Sequence, residues 1–133
     1  MKHLIEKLKA ATGPDHQLFA EVMRDGLGLA HYHDREFIQK VLAFVKVGAW
    51  TDAALALVSE VLPTVHGSEP SDGWRVGIER ERLAIDGRWL WVAWVRKHAR
   101  DPIEGEHTSP AIAILIALIT AIDKQNTETS ANE

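Results

Sequence analysis

At 133 residues, with 46% apolar and 26% charged positions, the chain has the composition of one folded domain able to bury most of its unfolded surface unaided. It holds no cysteine, which excludes disulfide frameworks, Cys-ligated zinc and thiol nucleophiles. A formal charge of −4 removes any bulk attraction to nucleic acid or anionic membrane.

Residues 2–11 place Leu4, Ile5 and Leu8 at helical spacing, with charges distributed through the segment and no continuous apolar stretch of the secretory kind. "TGPD" interrupts this helix, with Pro14 at the first position of the next. That second helix carries Leu18, Phe19, Val22 and Met23 on one stripe and stops at "DGLGL". "AHYHD" reads as a connector or short strand, and Asp34 as the cap of a third helix bearing Phe37, Ile38, Val41, Leu42 and Val45. After a break at "KVGAW", Thr51 or Asp52 caps a fourth helix with Leu55, Val58 and Leu62 inward, ended by Pro63.

"HGSEPSDG" is a loop, and residues 74–79 then alternate as a strand with Trp74, Val76 and Ile78 on one face. Asp86-Gly87 is a type I′ hairpin signal, which sets Ile85 opposite Arg88 and Leu83 opposite Leu90. In that register the apolar parity switches near residues 79–82, so a bulge or break is expected there. The strand at 88–95 is apolar on both parities, as expected of a strand covered on both faces, and its tryptophans read as core. "KHARDPIEGEHT" reads as a loop leading to Ser109-Pro110, a cap followed by proline at the first helical position. The last helix, 110–123, is apolar nearly all round and needs burial on more than one side. At 111–122 its apolar run is too short to cross a bilayer, so a soluble, cytoplasmic protein is expected. Residues 1–125 read as one domain and 126–133 as a disordered tail.

Few residues announce chemistry. His31 and His33 project to one side of an extended backbone, as two imidazoles sharing a metal must. A third ligand would have to come from Asp34, Glu36 or a distant histidine, and exposed loop histidines are the commoner outcome. Arg96, Lys97 and Arg100 form a basic cluster suited to a phosphate or an acidic surface, opposed in the same loop by Glu104 and Glu106. Glu79 and Glu81 share strand parity, away from Arg80 and Arg82, and read as a solvated edge rather than an acid–base pair. The chain lacks a nucleophile elbow, a P-loop and a dinucleotide fingerprint.

Three stretches carry a resemblance: "LIEKLKAATGPDHQLFAEVMR", "DAALALVSEVLP" and "TSPAIAILIALITAI", in that order. Together they resemble a group of uncharacterised small proteins of alphaproteobacteria and their phages, similar to the phage ABA sandwich domain, a sheet between two helical layers. The likeness covers about half the chain. Residues 27–50 do not align with the family's connecting region, and the last helix opens Thr-Ser-Pro rather than Thr-Pro. The resemblance implies a fold and a phage or prophage origin, and supplies no site.

The expectation is therefore an α+β fold: a small antiparallel sheet centred on 88–96, packed between helices as an α-β-α sandwich, with helices 51–62 and 110–123 against it. The expected function is non-catalytic binding of a host protein without a cofactor, sharpest as inhibition of a host defence complex in the manner of an anti-CRISPR. Acidic small proteins can occupy basic surfaces, here through Glu60, Glu69, Asp72, Glu79, Glu81, Glu104 and Glu106. The alternatives are a small-ligand or metal-binding protein using His31 and His33, and a nucleic-acid binder using the Arg96–Arg100 segment. Pairing of the last helix in a homodimer is compatible with each.

Overall fold

The structure, a computed structural model, describes residues 2–29, 35–62, 74–82, 89–97 and 100–131. Its elements are α1 (Lys2–Ala10), α2 (His16–Glu21), a single π-helical stretch (Val22–Gly26), α3 (Arg35–Lys46), α4 (Trp50–Val61), β1 (Trp74–Arg82), β2 (Trp89–Lys97), β3 (Ile103–His107) and α5 (Pro110–Ala131). The α+β class holds. The three strands form one antiparallel sheet in the order β1-β2-β3, with β2 central.

α5 is the element around which the others are arranged. Every residue from Ala111 to Ile119 is buried. One side of the helix packs on β3 and β2, while α4, α1 and the π-helical stretch take up others. An all-round apolar helix demands burial of this kind. Its start follows local chemistry: Ser109 Oγ accepts from the Ile112 amide at 3.4 Å, and Pro110 opens the helix. The helix also runs on to Ala131, through the segment expected as a tail, since extending an established helix costs little beyond its nucleus.

Gly105 sets the distance between sheet and helix. A Cβ there would fall 2.4 Å from the Ala113 carbonyl oxygen and 2.7 Å from the Ala117 amide nitrogen, both backbone atoms. Only glycine permits this approach, and Ala113 and Ala117 keep the facing side of α5 small.

Several expectations need correction. β3 lies in a segment read as a loop, because its inward positions are Ile103, Gly105 and His107, one without a side chain and one polar. The β1–β2 ladder runs without a bulge through residues 79–82, pairing Glu81 with Leu90 and Arg82 with Trp89. That register differs by two residues from the one a two-residue Asp86-Gly87 turn would set; the turn itself lies outside the described residues. α4 packs chiefly on α5 and α3 rather than directly on the sheet.

Helix starts differ too. Asp15, not the position before Pro14, caps α2, accepting from the Leu18 amide at 2.7 Å, so Pro14 precedes the cap. Neither Thr51 nor Asp52 caps α4, which begins at Trp50 without a side-chain cap. Its inward residues are Ala53, Ala54, Leu57 and Val58, and Leu55 is 37% exposed. Asp34 and Pro63 lie outside the described residues.

Candidate functional site

Alternation along β2 divides its side chains between two faces. Trp91, Ala93 and Val95 face α5 with Gly105 and Ile103 of β3 and with Val76 and Ile78 of β1. The other parity, Leu90, Val92, Trp94 and Arg96, forms the outer face. Across it the rows read Glu81–Leu90, Glu79–Val92–Glu106, Gly77–Trp94–Glu104 and Arg75–Arg96.

This face has a built centre. Val92 is buried, and Leu90 and Trp94 are half-buried. The indole of Trp94 lies across Gly77: a Cβ at that position would fall 2.2 Å from the ring carbon Cζ2. Gly77 thus gives the ring its seat. Gly77→Ala is expected to lift the indole off the sheet at a cost of about 1–2 kcal/mol, read as a lower unfolding midpoint and an altered near-ultraviolet circular dichroism.

Charge is graded around that apolar strip. Glu79, Glu104 and Glu106 are exposed beside Val92 and Trp94. Arg75 and Arg96 occupy the opposite end and are also exposed. Four of the residues singled out in the sequence, Glu79, Glu104, Glu106 and Arg96, therefore come together around Trp94. Arg96 and Lys97 are separated: alternation sends Lys97 to the other face, in the row of Trp74. Arg100 sits in the bend after β2, its amide donating to the Lys97 carbonyl. The basic cluster is not one surface.

The tryptophans are not uniformly core. Trp74 is buried, Trp91 is half-buried and Trp89 is 50% exposed. β3 ends at His107, opposite Trp91, so among the described residues Trp89 has β1 alone beside it. Arg80 on the neighbouring strand stacks there, its guanidinium carbon 4.9 Å from the Trp89 ring centroid and 5.9 Å from that of Trp91.

His107 was not singled out in the sequence, yet it is buried at the junction of three elements. Its Nδ1 accepts from the Ser109 amide at 2.9 Å, which places the ring proton on Nε2, donating to the Ala11 carbonyl at 2.6 Å. Both ring nitrogens are engaged with backbone, so the imidazole ties the end of α1 to the start of α5. The only sign of it in the sequence is a polar residue at an inward strand position.

Beside α1 and α2, an open depression of about 360 Å³ is lined by Lys7, Ala10, Ala11, Asp15, Gln17, Leu18 and Glu21. Lys7 Nζ lies 2.6 Å from Glu21, and its hydrogen bond holds that carboxyl below its ordinary range. His31 and His33 lie outside the described residues, as do Glu69 and Asp72, while Glu36 and Glu60 are exposed on α3 and α4. Among the described residues no three His, Asp or Glu side chains are grouped to hold a metal ion, and no helix is long and apolar enough to cross a membrane. Compared with protein-family models, curated proteins and solved structures, the chain matches none.

Proposed function

We propose that the protein acts without catalysis, by docking a host protein on the outer face of its sheet, and that it does so as a phage or prophage accessory factor. The observation that carries this reading is the Trp94–Val92–Leu90 strip framed by Glu79, Glu104 and Glu106. An aromatic anchor seated on a rigid strand and ringed by charge is the arrangement that concentrates binding energy in protein interfaces. The carboxylates select a partner with lysines or arginines around an apolar site, and they steer its approach. Surfaces that hold nucleic acid are of this kind, and a host defence complex such as a CRISPR effector is the sharpest form of the partner. The sequence resemblance to small phage proteins supports the host setting.

The test is capture from bacterial lysate on immobilised protein, alongside a phage-interference assay in cells expressing it. Trp94→Ala is expected to weaken capture by about tenfold or more, and Glu104→Lys/Glu106→Lys to slow association and change its salt dependence. Undiminished interference together with no retained partner would sink the proposal, as would a partner held equally by all variants.

A further inference from the structure

β1 is an edge strand: among the described residues its one neighbouring strand is β2. Nine residues long, it presents a row of backbone donors and acceptors, the usual template for another strand. Native edges block such pairing with charge, and β1 is charged at Arg75, Glu79, Arg80, Glu81 and Arg82. The order of those charges, however, makes the strand complementary to itself. We propose that β1 pairs antiparallel with β1 of a second copy about a two-fold axis through Gly77, joining two three-stranded sheets into one of six.

In that register Arg75 of each copy stands opposite Glu79 of the other, giving two ion pairs on the outer face. Val76 stands opposite Ile78, twice, on the face toward α5, where both are half-buried in the single chain. Trp74 stands opposite Arg80, and Gly77 meets itself at the axis. Directly opposed residues of an antiparallel pair share a face, and opposite-charge and apolar pairs in those positions stabilise it while like charges oppose it. Moving the axis to Ile78 would keep a charge match, Arg75 against Glu81, but set Val76 against Arg80 and Gly77 against Glu79, losing the apolar match. The contact is isologous and closes at two copies, as a two-fold interface must. Gly77 fits the axis, because it carries no side chain and the Trp94 ring of each copy lies across it. A foreign strand would need Glu, Arg and apolar residues in this one order, so a second copy is the occupant the charges select.

The experiment follows oligomeric state by light scattering and sedimentation equilibrium over a wide concentration range, with the full chain. Wild type is expected to dimerise. Arg75→Glu opposes two pairs of carboxylates, and Glu79→Arg two pairs of guanidinium groups, so each is expected to weaken the dimer about tenfold or more. Mixing the two single variants in equal amounts restores every opposite-charge pair and should form a heterodimer. The double reversal Arg75→Glu/Glu79→Arg should dimerise like wild type. Recovery on mixing also demonstrates that both variants fold. A wild type that stays monomeric, a dimer indifferent to either reversal, or a mixture that fails to associate would each overturn the proposal; indifference would direct attention to another surface, such as α5. The result does not depend on the host-partner reading, since no lysate component enters it.

Discussion

Gly105→Ala is expected to destabilise the protein by about 2–3 kcal/mol, the upper part of the range for forcing extra volume into a packed core. The added methyl would meet the Ala113 carbonyl oxygen at 2.4 Å, the Ala117 amide nitrogen at 2.7 Å and Ile116 Cβ at 2.9 Å. Two of these are helical backbone and cannot swing aside, so relief requires the whole of α5 to move away from β3. That displacement would loosen α4 and α1 as well, because both pack on the same helix. Urea unfolding should show a lower midpoint, and thermal unfolding a fall of roughly 8–12 °C for a chain of this size. An unchanged midpoint would mean that α5 stands further from β3 than described.

His107→Leu is the second large expected effect, at about 2–4 kcal/mol. Leucine nearly fills the space but strands two backbone groups, the Ser109 amide and the Ala11 carbonyl, each of which loses its partner in a half-buried setting. His107→Gln, which carries a donor and an acceptor on one amide, should recover part of the loss. Nitrogen chemical shifts of the ring supply a direct check. They should report a proton on Nε2 and none on Nδ1; the opposite tautomer would remove the basis of the prediction.

How much of this was legible in the sequence follows from where side chains speak for backbone. Trp74, Val76 and Ile78 alternate, and β1 formed where they stand. Ser109-Pro110 marked the start of α5 through cap chemistry that acts locally. β3 was hidden for the converse reason: Gly105 has no side chain to alternate, and its absence is what the α5 contact requires. The same glycine that builds the interface erases its signal. Apolar residues on both parities of β2 suggested two covering layers, and among the described residues one of them, α5, is seen. On the other face Val92 is buried at the centre of the strip, with Trp94 folded across Gly77 beside it. Whether a ring covers the sheet or waits for a helix to do so is a matter of one rotamer, which composition does not encode. Exposure of Trp89 depended likewise on where β3 stops, and on the stacking of Arg80, neither of which a local pattern records. The grouping of Glu79, Glu104, Glu106 and Arg96 required only correct strand parity and the presence of β3, and it was half visible.

The position of α5 in chain order has a consequence for how the molecule comes into being. The helix comes last among the described elements, and α1, the π-helical stretch, α4, β2 and β3 all pack on it. During synthesis Leu4, Leu8, Phe19 and Leu57 leave the ribosome well ahead of the helix that completes their burial. The core common to these elements is therefore complete only with residues 111–119, the part of the chain made last among them.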